Sequence, residues 1–83
     1  MRLAKHVKFR EEKFGGVLFE TRSEKVYTLT PTAAAVVKQV SQGKAAAEIA
    51  PAMVETFDAD GATIERDVKA FLAELAEKGL VED

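Results

Sequence analysis

The chain has 83 residues, with 12 Lys and Arg against 14 Asp and Glu, one histidine and no cysteine. Without cysteine there are no disulfides, no thiolate-bound zinc, no iron–sulfur ligation and no cysteine nucleophile. A chain this short makes one domain, expected over residues 1–83, and buries only about 60–65% of the surface its unfolded form exposes.

Charge is distributed unevenly. Residues 1–43 carry eight Lys and Arg against four Asp and Glu, and residues 44–83 carry four against ten. Arg2, Lys5, His6, Lys8 and Arg10 break up any apolar stretch of the signal-peptide kind at the start. No run approaches the roughly 18 apolar residues of a membrane span. The expectation is a soluble cytoplasmic protein with no membrane contact.

The first thirty residues read as strands. Val7, Phe9 and Glu11 alternate with Lys8 and Arg10, the period of a half-buried strand. Lys13-Phe14-Gly15-Gly16 reads as a turn, Val17–Thr21 as a short strand, and Thr21-Arg22-Ser23-Glu24 as the next turn. Lys25–Leu29 makes the third strand, with Tyr27 and Leu29 on one face and Val26 and Thr28 on the other. Short connections favour an antiparallel meander.

The period changes at Thr30-Pro31. Thr30 suits a helix N-cap and Pro31 the first helical position, where a missing N–H costs nothing. Val36, Val37 and Val40 form the apolar stripe, and Gly43 ends the helix. A second helix is expected from about Ala45 to Phe57, burying Ile49, Met53, Val54 and Phe57. Pro51 implies that it is either kinked or begins near Ala50. After a turn at Asp58-Ala59-Asp60-Gly61, a third helix is capped by Thr63. Ile64, Val68, Phe71, Leu72 and Leu75 share one of its faces, and Gly79 closes it. The fold class is α+β, winged-helix-like: a three-stranded antiparallel sheet followed by three helices, βββααα.

Catalytic chemistry finds little to use. His6 stands alone at the start of the first strand, so no ligand pair or histidine base arrangement forms. Asp58-Ala59-Asp60-Gly61 resembles the opening of a calcium loop, but its twelfth position is Lys69 instead of glutamate. Gly15-Gly16 lacks the further glycines and the following helix of a phosphate cradle. The expectation is a non-enzyme with no cofactor and no metal. DNA binding, common among winged helices, requires a basic face. The third helix instead sets Arg66, Lys69 and Lys78 against Glu65, Asp67, Glu74 and Glu77, so nucleic acid is not the expected partner.

One family resemblance runs through most of the chain. Val17-Leu18-Phe19-Glu20, Val26-Tyr27-Thr28-Leu29-Thr30-Pro31-Thr32-Ala33-Ala34, Gly43, Ala47-Glu48-Ile49-Ala50, Ile64-Glu65-Arg66-Asp67-Val68 and Phe71-Leu72-Ala73-Glu74-Leu75 with Gly79-Leu80-Val81 stand in the order of PqqD-like proteins. The sequence resembles that family from about Leu3 to Val81. It departs at Thr30, where asparagine is commoner, and at Pro51.

The resemblance implies a recognition element for ribosomally made, post-translationally modified peptides. Such a domain binds the leader part of a precursor peptide as an added strand and delivers it to a radical S-adenosylmethionine maturation enzyme. The third strand of a meander is an edge, with main-chain groups free to template another chain. This points to Lys25, Val26, Tyr27, Thr28 and Leu29 as the receiving strand, and to Ile64, Asp67, Val68, Phe71 and Leu75 as the opposite wall. Arg66 and Lys69 are placed to meet acidic leader residues. Two other readings use the same residues: a winged-helix DNA-binding domain, and a self-associating structural domain whose edge pairs with a second copy as a homodimer.

Overall fold

The computed structural model describes residues 1–56 and 60–82. Its elements run β1 (Arg2–Leu3), β2 (Val7–Glu12), β3 (Gly15–Glu20), β4 (Lys25–Leu29), α1 (Pro31–Ser41), α2 (Ala46–Thr56), α3 (Gly61–Glu77) and β5 (Val81–Glu82). Strands β2, β3 and β4 form an antiparallel sheet in that order, which leaves β4 at an edge. The expected α+β arrangement of three strands followed by three helices is present.

The sheet buries one face only. Val7, Leu18 and Leu29 point toward the helices and are buried, with Phe9 and Tyr27 partly buried on the same side. Val36, Val37 and Val40 of α1 cover them, joined by Ile49 and Met53 of α2 and Val68, Leu72 and Leu75 of α3. These residues recur at helical spacing because each helix buries one stripe.

Helix ends follow local chemistry closely. Thr30 caps α1, its hydroxyl accepting from the Ala33 N–H at 3.2 Å. At the other end the Gly43 and Lys44 N–H groups donate to Val40 and Gln39 carbonyls, with Gly43 at φ +81°. Helix α3 closes in the same way: Gly79, at φ +71°, donates to Ala76 O and Leu80 donates to Leu75 O. Both endings satisfy carbonyls that a helix otherwise leaves open.

The structure corrects several expectations. Gly15 and Gly16 lie inside β3, opposite Glu12 and Glu11, and the reversal is confined to Lys13-Phe14. Gly15 is needed for close approach, since a Cβ there would lie 2.2 Å from Leu29 O. Asp60, not Thr63, caps α3; its carboxylate accepts from the Ala62 N–H at 3.3 Å and from the Thr63 hydroxyl at 3.0 Å. The helix therefore begins at Gly61, with Thr63 buttressing the cap. Helix α2 runs through Pro51, which is exposed, and starts where Glu48 folds back to accept from the Ala45 N–H at 3.1 Å. That reciprocal cap sets the start of the helix ahead of the proline. Val54 is exposed rather than core, whereas the expected burial of Phe57 and the Asp58-Ala59 part of the turn lie outside the described residues.

A second, two-stranded sheet was not anticipated. Strand β1 pairs with β5, Arg2 opposite Glu82 and Leu3 opposite Val81, and the Ala4 N–H donates to Leu80 O at 3.0 Å. The Arg2 Nε donates to Glu82 at 3.2 Å on its surface. His6 lies in the turn before β2, where its carbonyl accepts from both the N–H and the hydroxyl of Thr21.

Candidate functional site

The free edge of the sheet can be assigned residue by residue. The Thr21 N–H donates to His6 O at 2.8 Å, which extends the β2–β3 ladder one step beyond Val7 opposite Glu20. Antiparallel bonding alternates along a strand, so Gly15, Val17 and Phe19 turn their main-chain groups to β2, and Gly16, Leu18 and Glu20 turn theirs to β4. Their partners on β4 are Leu29, Tyr27 and Lys25. Val26 and Thr28 are left with N–H and C=O directed away from the sheet.

Beside this edge lies an apolar groove. Helix α3 packs on α2 and β5 and stands off from β4. Just past the end of β4, between α1 and α3, lies a hollow of about 340 Å³. Its walls are Ala33 and Val36 of α1 and Ile64, Val68 and Phe71 of α3, above Met53 of α2. Thr30, Thr32 and Asp67 supply the polar part of its lining. A smaller hollow of about 120 Å³ lies directly beside the edge, between Tyr27, Thr28 and Leu29 on one side and Phe71 and Leu75 on the other. Phe71 borders both hollows, which places them side by side along α3, the smaller one against the edge strand.

Charge is sparse within the groove and locally paired. The Lys78 ammonium donates to Glu74 at 2.6 Å where both line the smaller hollow. That hydrogen bond, with the nearby negative charges of Glu74 and Glu77, raises the Lys78 pKa above its ordinary value near 10.5. Asp67 faces Arg66 at 3.9 Å, with both side chains largely exposed. Lys69 pairs with Glu65 at 2.9 Å. Such surface pairs add little to stability.

Eight of the ten residues singled out from sequence line these two hollows: Tyr27, Thr28 and Leu29 from β4, and Ile64, Asp67, Val68, Phe71 and Leu75 from α3. Lys25 and Val26 do not. Lys25 pairs with Glu20 at the start of β4, and Val26 presents its side chain to the opposite face of the sheet. Sequence reasoning missed Thr30, Thr32, Ala33 and Val36, and the depth position of Met53. The spacing of Thr32, Ala33 and Val36 in α1 was the available signal. It reads equally well as ordinary helix core.

Three strands, three helices and an open edge beside a groove agree with the sequence likeness noted above. A family model described as Coenzyme PQQ synthesis protein D (PqqD) matches residues 15–81. The chain belongs to the PqqD family. No curated protein sequence matches it. Among solved structures, this PqqD-family chain is similar to TbiB1 in complex with the TbiA(beta) leader peptide. The TM-score is 0.88 at 27% identity, covering 99% of this chain and 95% of that one. It is also similar to a lasso peptide synthetase B1 complexed with the leader peptide, at TM-score 0.83 and 27% identity, covering 99% of this chain and 96% of that one. Among the described residues no His, Cys, Asp and Glu grouping suits a metal, and no helix is long and apolar enough to cross a membrane.

Proposed function

We propose that residues 1–83 act as one peptide-recognition unit, which binds the leader region of a ribosomally made precursor peptide by adding it as a strand to β4. The observation that carries this reading is the outward direction of the Val26 and Thr28 main-chain groups beside an apolar hollow. A peptide laid along β4 bonds to those groups, and its alternate side chains enter the groove. Affinity comes from both sources and selectivity from the side chains. The likeness to two leader-peptide complexes, at 27% identity over nearly the whole chain, supports this choice of ligand.

The domain performs no chemistry of its own in this reading; it carries the peptide to a separate enzyme. Family membership favours a radical S-adenosylmethionine maturation enzyme as the receiver, and the structural neighbours favour a lasso peptide synthetase. Co-purification with each class of enzyme, in the presence and absence of the peptide, separates the two.

The deciding experiment titrates isotope-labelled protein with the short peptides encoded near its gene and follows the amide resonances. Perturbations concentrated at residues 25–29 and 64–75 are expected. Concentration-dependent changes at residues 25–29 without peptide would instead identify β4 as a homodimer edge. Changes on adding duplex DNA that vanish at high salt would favour the winged-helix reading.

A further inference from the structure

The face of the sheet turned away from the helices carries an apolar patch that the groove does not use. Phe19 is 37% exposed and Val26 is 60% exposed, and the two are direct cross-strand neighbours. Lys8 stands opposite Phe19 on β2, so one row across the outer face reads Lys8, Phe19, Val26. The row stops at Val26 because β4 is the edge. Single exposed apolar residues are common on any surface. This pair differs in being contiguous and in ending at the residue whose main-chain groups are free.

We infer that this outer row is a second reading surface for the bound peptide, selecting an apolar, β-branched or aromatic side chain at the position that pairs with Val26. The inference rests on strand addition to β4. Neighbouring residues on paired strands project to the same side of a sheet, so the peptide residue opposite Val26 places its side chain on the outer face beside it. The neighbouring peptide residue opposite Tyr27 points into the hollow beside the edge, and the one opposite Lys25 lies on the same inner side beyond its end. The peptide is then read on both faces, and its signature is a run of adjacent apolar residues rather than strict alternation.

The test is selection of random 12-residue displayed peptides on the wild-type chain and on Val26→Glu and Val26→Lys. Val26 is well exposed, so both variants are expected to keep the wild-type melting profile. The wild type should enrich apolar residues at the outward position that pairs with Val26, next to the groove-facing anchor opposite Tyr27. Val26→Glu should enrich Lys or Arg there, and Val26→Lys should enrich Asp or Glu, with the anchor unchanged. In an enriched peptide, alanine at the outward position should weaken binding to the wild type up to about fivefold and leave binding to Val26→Ala unaltered. An enriched anchor with no preference at the outward position, or the same preference on all three proteins, would overturn the inference and leave strand addition standing. Enrichment of no peptide on any of them would remove strand addition itself.

Discussion

Gly15 and Leu29 are in such close approach that a side chain at the first has no room: a Cβ on Gly15 would fall 2.2 Å from Leu29 O, 2.6 Å from the Thr30 carbonyl carbon and 2.8 Å from the Pro31 nitrogen. The start of β3 is thereby pressed against the point where β4 becomes α1. Gly15 also sits at φ +140°, a conformation side chains rarely adopt. Gly15→Ala is expected to destabilise the protein by on the order of 3 kcal/mol, because strain and overlap act together. Urea unfolding measures it; a loss below 1 kcal/mol (about a fivefold change in the unfolding equilibrium) would show that this junction yields easily.

Thr28→Pro isolates the edge from the fold. The Thr28 N–H faces outward, so proline removes no bond of the β3–β4 ladder, and proline is tolerated on edge strands in that orientation. Peptide binding should be lost with a fall of only a few degrees in melting temperature. Tyr27→Pro, one residue away, deletes an internal ladder donor and should unfold the sheet. Equal behaviour of the two variants in thermal melts and peptide titrations would refute the assigned alternation.

Phe71 and Leu72 are neighbours in α3 with opposite expectations. Phe71 is half-buried along the groove, and Leu72 is core. Leu72→Ala should cost about 2–5 kcal/mol of stability. Phe71→Ala should cost about 1–2 kcal/mol, less than a fully buried phenylalanine, while weakening peptide binding at least about tenfold. Denaturation and calorimetric titration of both variants decide whether the groove binds through Phe71.

Asp60→Ala tests the corrected start of α3. Losing the carboxylate frees the Ala62 N–H and the Thr63 hydroxyl together, at an expected cost of about 0.5–2 kcal/mol. Thr63→Ala should cost less, since Thr63 only supports the cap. A larger loss from Thr63→Ala in parallel urea titrations would restore it as the cap.

Lys78 should titrate above its ordinary value near 10.5, chiefly through its hydrogen bond to Glu74. A raised folded-state pKa means the ammonium is favoured by folding. The associated stabilisation is fully present below the unfolded pKa and is lost as pH rises through the folded value. Carbon-detected NMR of the lysine side chains provides the measurement, and Glu74→Gln should return Lys78 toward the unperturbed value. An unchanged titration in that variant would exclude Glu74 as the main cause.

The sheet and the edge strand were largely legible because their signals are local. Lys25–Leu29 alternates cleanly, and Thr30-Pro31 marks the change of period at the residue where α1 begins. Features set by tertiary contact were less visible. Gly15-Gly16 has turn chemistry, yet pairing with Glu12 and Glu11 draws both glycines into β3, and the approach of Leu29 requires the first of them. The β1–β5 pair is too short for any periodicity to register. On α3 the apolar stripe serves two purposes. Ile64, Val68 and Phe71 meet the groove while Leu72 closes the core, and spacing alone does not divide them.

Under the proposed strand addition, the short outward-facing run of β4 would limit how long a peptide can stay. Within that strand only Val26 and Thr28 offer free main-chain groups, at most four hydrogen bonds. At about 0.5–1.5 kcal/mol net each, they amount to roughly 2–6 kcal/mol. That only matches the low end of the cost of immobilising a partner, roughly 4–15 kcal/mol. Main-chain pairing alone therefore gives no lasting complex, and the residence time is governed by the side chains seated around it. In the proposed reading, a carrier built on so few backbone bonds would release its cargo once an enzyme drew those side chains away.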